Sequence, residues 1–423
     1  MKRSMVQFIE SQSGYVNSDW YKNLKLVTFI SLGLSIPLTT AGISISMVLL
    51  FIYWVLERNY CIKIQELCKN PVFIATFAFF ILHLVGQYWL DGVKQINGFK
   101  SWMVFIIPVL ASVVDVKTAK KGLIAFVIGM LVSDVWLITK ILSVWDQYSK
   151  GLVDDLGGFY ISGSRISFAP MIVIAFSILF SRYLYGITSG IKKYILIFTM
   201  IIMVFSIFYT GGRGGQITFI ISWLILTFIH YKKNNKKLTY SVLVLITILT
   251  TSYFTSAIFN NRVNLIITEV MFFIDNNQDK KYQTSVGRRL HYIENGIDLF
   301  KDKPWLGYGT GSYENVASDY LYVKNDDSGN KFLSKTTNPH NYHLLVLIQF
   351  GIIGFLIYLS IFATQIYVAI KAPNNYKYKG VAFLIPVLYF LICFNDTYLW
   401  SHQLQATFAL LTSIVYRQDL WDK

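Results

Sequence analysis

Charge is what this 423-residue sequence has least of: 14% of its residues are Asp, Glu, Lys or Arg, against 54% hydrophobic ones. So lean a polar set cannot cover a soluble globule of this size, and the composition implies a lipid bilayer as solvent. Acids are scarcer still than bases, 23 against 38, giving a formal net charge of +15. In a soluble protein that excess would suggest nucleic acid. Here the basic residues stand in short clusters between apolar runs, which argues against a nucleic-acid partner. Cysteine is nearly absent: Cys61 and Cys68 share one loop and Cys393 lies inside an apolar run, with no zinc or redox spacing among them, so all three read as structural. No Asp-x-Asp motif and no His/Cys cluster offers a seat for a divalent ion, so neither metal nor cofactor is expected. The absence of an internal repeat of 20 to 50 residues counts against solenoids and inverted-repeat transporters. No small-residue cleavage site precedes the first apolar run, which is therefore expected to be an uncleaved signal anchor.

What is present is a succession of apolar runs near the length that crosses a hydrocarbon core. They fall near 25–40, 42–56, 72–89, 101–114, 122–144, 166–184, 193–210, 215–231, 238–259, 342–370, 380–394 and 402–417. The expected fold is an all-α membrane protein of about twelve transmembrane helices. With the N-terminus taken as cytoplasmic, the inside segments hold 22 Lys and Arg, and the short outside loops hold five: Lys94, Lys100, Lys150, Arg165 and Arg213. That asymmetry predicts both termini in the cytoplasm of a bacterial inner membrane. Three parts follow: a transmembrane bundle over 1–259, a large outside loop over 260–341, and a C-terminal membrane segment over 342–423.

The long loop is read as folded and partly helical, since 263–274 is strongly apolar and 284–302 has a helical period. In the second stretch Val286, Leu290, Ile293, Ile297 and Phe300 share one face, as in a helix lying on the membrane surface or on the bundle. With Val286 at zero, Arg289 falls about 60° from that face and Arg288 about 160° from it. Arg289 should then look toward protein or membrane, and Arg288 toward water. A basic first turn opposes the helix dipole, so Arg289 is a candidate for an expected anion.

Other groups on the outer side can carry chemistry. Arg213 stands in Thr210-Gly211-Gly212-Arg213-Gly214-Gly215, where glycines let a backbone approach an anion and the guanidinium offers a bidentate fork. A tight interhelical turn with a snorkelling arginine is the plainer reading, and the anion site is favoured over it. Asn338-Pro339-His340-Asn341-Tyr342-His343 lies where the loop re-enters the membrane; Pro339 disfavours helix at Asn338, so the next helix should start at or just after His340. A helix N-terminus and nearby arginines would keep His340 neutral, available as a base. His343, one turn further in, could share the site or pack, and Asn341 could assist. Arg165, Asp396 and His402 lie on the same side. Asp134, in mid-span, is read as an interhelical hydrogen-bonding group.

The loop resembles the C-terminal core of the O-antigen ligase and polymerase superfamily of bacterial envelope glycosyltransferases. The matching residues are Gly287-x-Arg289-x-x-x-x-Glu294, Pro304-Trp305-Leu306-Gly307-x-Gly309-x-Gly311-x-Tyr313, and His340-Asn341 followed by Gly351 and Gly354. The resemblance covers about residues 200–410 and extends earlier only by hydropathy. It implies a GT-C-like fold and a metal-independent inverting transfer of a glycan from undecaprenyl diphosphate to a sugar hydroxyl at the periplasmic face. It also implies His340 as the base, with Arg289 and Arg213 on the diphosphate. One dominant loop fits a ligase acting on lipid A-core better than a repeat-unit polymerase. A protein O-oligosaccharyltransferase is a further branch. A lipid-linked glycan flippase is disfavoured by the near absence of mid-span charges.

Overall fold

The computed structural model describes residues 16, 18–89, 91, 106–149, 159–161, 165–210, 212–274, 285–317, 321–325, 331–335, 338–417 and 419. Among the described residues, eleven helices lead up to the long loop: α1 (Asp19–Leu38), α2 (Thr40–Leu56), α3 (Tyr60–Cys68), α4 (Pro71–Gly86), α5 (Ile106–Val113), α6 (Val116–Ser143), α7 (Trp145–Ser149), α8 (Arg165–Leu184), α9 (Ile191–Tyr209), α10 (Arg213–Tyr231) and α11 (Asn235–Thr255). The loop carries α12 (Ala257–Ile274), α13 (Ser285–Asp302) and the short α14 (Tyr313–Val316), followed by β1 (Leu321–Asn325) and β2 (Lys331–Lys335). Next come α15 (Tyr342–Lys371), α16 (Lys379–Ile392), a 3-10 turn (Tyr398–Trp400) and α17 (His402–Val415).

Among the described residues six helices, α6, α8, α9, α10, α11 and α15, are long and apolar enough to cross a membrane. The pair α2 and α3, bent by 113° at its junction, makes a seventh if it is taken as one span. Apolar α4 and α16 have 16 and 14 residues, roughly 24 and 21 Å of rise. The runs expected at 25–40, 42–56, 101–114 and 402–417 fold as α1, α2, α5 and α17. In α17 every residue from Gln403 to Val415 is buried, including Gln405, Thr407 and Thr412, so this helix occupies the centre of the bundle.

The all-α expectation needs one addition: β1 and β2 pair antiparallel, with Leu321 opposite Lys335 and Asn325 opposite Lys331. The joining sequence, Asp326-Asp327-Ser328-Gly329-Asn330, is composed of turn formers.

The run expected as a span at 342–370 is present and carries a break. Within α15 the chain breaks at Gly351, whose φ of 58° and ψ of −162° lie in a region open essentially to glycine. The loop segment after α13 fills the break. Ile352 N–H donates to the Pro304 carbonyl at 2.8 Å, while Tyr308 and Gly309 N–H donate to the Ile348 and Gln349 carbonyls at 3.0 and 2.8 Å. The backbone groups freed by the break are thereby satisfied inside protein, the condition for irregular chain at membrane depth. A methyl group on Gly351 would lie 2.3 Å from the Trp305 carbonyl carbon, and one on Gly307 would lie 2.4 Å from the Ile348 oxygen. Both glycines of the resemblance are thus accounted for by chain crossing chain. The same segment reaches α4, where Thr310 N–H donates to the Gly86 carbonyl at 2.9 Å and Thr310 Oγ1 to the His83 carbonyl at 2.7 Å.

Candidate active site

The head of α15 forms as the sequence requires. Asn341 is its N-cap, accepting from Leu344 N–H at 3.1 Å, and the Tyr342 N–H donates to the Cys393 carbonyl at 2.8 Å. Pro339 precedes it, and Asn338 closes a tight turn by accepting from the His340 N–H at 2.9 Å. His340 takes a left-handed backbone, φ 48°, which lifts its ring off the helix axis.

His340 Nδ1 lies 3.2 Å from Asp396 Oδ1, with 42% of the histidine side chain and 14% of the aspartate side chain exposed. A carboxylate only accepts, so Nδ1 carries the proton and Nε2 is the basic nitrogen. No hydrogen bond occupies Nε2 among the described residues. The Tyr292 ring, 6% exposed, stacks on the imidazole at 5.7 Å between centroids and 26° between planes. Besides the helix terminus and arginines expected near His340, a carboxylate, that of Asp396, stands against the ring.

Asp396 sits in the turn before Tyr398–Trp400 and is itself held. Thr397 N–H donates to Asp396 Oδ1 at 2.7 Å, and Asn338 Nδ2 donates to Thr397 Oγ1 at 2.9 Å, locking the two turns together. Burial alone would push the Asp396 carboxyl up. The hydrogen bond and charge of His340, the Thr397 amide and the Arg289 guanidinium outweigh it and hold this carboxyl below the ordinary carboxylate value. Arg289 also acts on the phenol of Tyr398, which burial pushes up to about 12.

Arg289 comes from α13, whose packing differs from the helical-wheel reading. The inward line is Arg289, Tyr292, Gly296 and Leu299: Tyr292, Gly296 and Leu299 are buried, and a methyl group on Gly296 would meet the Leu344 side chain at 2.5 Å. Ile297, on the apolar face read from the sequence, is 42% exposed. The bundle-facing side is rotated by about 100° from that face. Ile293 of that apolar face still packs on the core, and half-buried Arg289 lies between the two faces, about 60° from the apolar one. The side chain of Arg288 lies outside the described residues.

The head of α10 reaches the same turn. A methyl group on Gly214 would stand 3.0 Å from the Tyr398 hydroxyl and 3.3 Å from Asn395 Nδ2, so the backbone of Arg213 borders the segment that carries Asp396. Gly212 and Gly215 are filled differently: a methyl group on either would lie 2.6 Å from Ala169 Cβ of α8. Close packing of α8 on α10 accounts for these two glycines, which the sequence reading had assigned to an anion. The side chain of Arg213 lies outside the described residues, as does that of Arg165. The head of α8, where Arg165 sits, meets the site's far edge through Ser167 Oγ, 2.7 Å from Ser401 Oγ.

Two of the sequence candidates face elsewhere. His343 is 4% exposed, with Nε2 2.8 Å from the Phe390 carbonyl and its ring among Phe355, Tyr358, Phe390 and Phe394. His402 turns to α2, where Nε2 lies 3.3 Å from Ser44 Oγ. Tyr292 was missed. It lies one helical turn beyond Arg289, a spacing that places the two on one face and was legible in the sequence.

Residues 198–359 match the family model Wzy_C, described as O-antigen ligase. Similar proteins include one of Haemophilus influenzae described only as "Uncharacterized protein", 25% identical over 317 residues, which are 73% of this chain and 74% of that protein. Another, from Rickettsia felis, is named "Putative polysaccharide ligase" and is 30% identical over 129 residues, 28% of this chain and 29% of its own length. The matched segment 198–359 holds Arg213, Arg289, Tyr292 and His340.

Proposed function

We propose that this multi-pass protein is an O-antigen ligase-type glycosyltransferase. It takes a glycan from undecaprenyl diphosphate and joins it to a sugar hydroxyl of lipid A-core at the periplasmic face of the inner membrane. Residues 1–259 and 342–423 are the membrane bundle, 260–341 is the periplasmic loop, and both termini are cytoplasmic. The observation that carries the reading is the His340–Asp396 pair beside Arg289, set at a loop-to-helix junction within an O-antigen ligase family domain.

In the reaction the acceptor oxygen attacks the anomeric carbon from the face opposite the diphosphate. His340 Nε2 takes the hydroxyl proton as the new C–O bond forms, and Asp396 stabilises the imidazolium at Nδ1. The old bond breaks with its electron pair on the diphosphate oxygen, whose charge is met by Arg289 and Arg213. Tyr292 fixes the imidazole plane. The named relative of Rickettsia felis supports the ligase branch.

The envelope of a deletion strain tests this. Loss of all O-antigen from lipid A-core, with long chains accumulating on the lipid carrier, is the expected result. Core bearing a single repeat unit would make the protein a polymerase instead, and an unchanged envelope profile would overturn both.

A further inference from the structure

Far from His340, at the lysine-rich end of the spanning helices, α9 and α11 splay on either side of α10 and leave a cavity of about 680 Å³ between α8, α9, α10 and α11. Its floor is aromatic: Trp223 stacks on Phe180 at 4.5 Å between centroids and on Phe176 at 6.1 Å. Trp223 Nε1 donates to the carbonyl and hydroxyl of Ser241 at 3.1 and 2.9 Å, so its polar edge is satisfied by α11 and its apolar faces remain for the cavity. Val204, Val244 and Ile248 line the membrane-facing side, with Val244 49% exposed. A slot of this kind, open laterally among spanning helices, suits a hydrocarbon chain.

The mouth differs in chemistry. Lys237 and Tyr231 line it, with Lys237 Nζ 5.9 Å from the Tyr231 ring centroid, and across it Lys193 Nζ stands 5.6 Å from the ring of Tyr183. Lys192, Lys232, Lys233 and Lys236 adjoin them in the sequence, and the chain has no acidic residue between Asp155 and Glu269. A basic rim without a carboxylate on α8 to α11 leaves its charge to an outside anion, held where an apolar slot ends. Such a pocket between spanning helices matches an acidic lipid headgroup at the membrane surface.

We propose that this groove is a binding site for an anionic phospholipid of the leaflet that meets the 232–237 end of the helices. Its acyl chain lies over Trp223 and its phosphate lies between Lys237 and Lys193. The site is separate from the transfer site and does not depend on the reading given for it.

Full-length protein reconstituted into vesicles of equal parts phosphatidylglycerol and phosphatidylcholine, then examined by native mass spectrometry, tests the proposal. The wild type should retain phosphatidylglycerol over phosphatidylcholine by about tenfold. Lys193→Gln/Lys237→Gln should bring that ratio to about one. Val204→Trp, which fills the slot, should release the lipid of either kind. If Val204→Trp no longer melts cooperatively, Val244→Trp, on α11, serves the same purpose. Equal retention of both lipids by the wild type would overturn the proposal, as would an unchanged preference in the double lysine variant. So would displacement of phosphatidylglycerol by undecaprenyl phosphate added at equal content, which would make the groove a prenyl-chain site.

Discussion

His340 and His343 stand one turn apart where the long loop enters α15, yet they occupy different solvents. The first lies on the rim, its ring stacked on Tyr292, its Nδ1 on a carboxylate and its side chain partly exposed. The second is enclosed by four aromatic rings, and its Nε2 is engaged by the Phe390 carbonyl. A base needs an open nitrogen and a partner that steadies the ring once protonated, and only the rim supplies both. Residue type and position in a motif therefore do not decide the role, because three residues along a helix change every neighbour.

The sharpest way to break the comparison is to exchange the fates of the two histidines. His340→Ala should lower glycan transfer by roughly a hundredfold or more while donor binding survives, since in the proposed mechanism the arginines hold the diphosphate. His343→Ala should leave transfer near the wild-type level and lower the melting temperature, because it opens a hole among packed rings. The reverse pattern in a transfer assay paired with a melt would move the base into the aromatic cage.

The region below the rim is probed by Gly351→Ala. The backbone conformation alone should cost on the order of 1–3 kcal/mol, and the approach of Trp305 adds to it. Chemical denaturation in detergent reads the loss. A neutral result would mean that the break in α15 closes without cost.

On the rim itself, Arg289→Lys keeps the charge and loses the fork. It should reduce transfer by about tenfold, the scale of one charge-assisted hydrogen bond. Full activity in Arg289→Ala would remove this residue from the site.

The smallest effect concerns Asp396. Its carboxyl is held below its unfolded value, so its stabilising contribution is fully present above that unfolded value and is lost as pH falls through the lower folded one. The melting temperatures of wild type and Asp396→Asn should therefore differ most at neutral pH and converge on acidification through the carboxylate range. A constant gap across that range would mean that the His340 contact does not depend on the carboxylate charge.

Much of the rim was legible in the sequence because it depends on local chemistry. Pro339 set the start of α15, and the loop helix and the inward turn of Arg289 followed from periodicity. What the sequence hid were contacts between distant segments. Tyr292 reaches His340 across 48 positions and Asp396 across 56, and nothing in a single chain pairs them. Periodicity also gave only part of the buried side of α13, because Ile297 of the apolar face is exposed and small residues such as Gly296 make the inward contact. The break in α15 escaped notice for a related reason: its cause lies in the Pro304 to Thr310 segment, not in the run itself.

One further consequence lies in how the hairpin of β1 and β2 is attached. Its two stalks end on fixed points: Ala317 is buried and its N–H donates to the Tyr313 carbonyl at 2.9 Å, while Asn338 is tied to Thr397 at 2.9 Å. The excursion over 318–337 leaves and rejoins a frame that already aims His340 and Asp396. Evolution or design can thus vary that excursion in length and sequence, much as a tool takes a new head on the same handle, while the distance between His340 and Asp396 stays as it is.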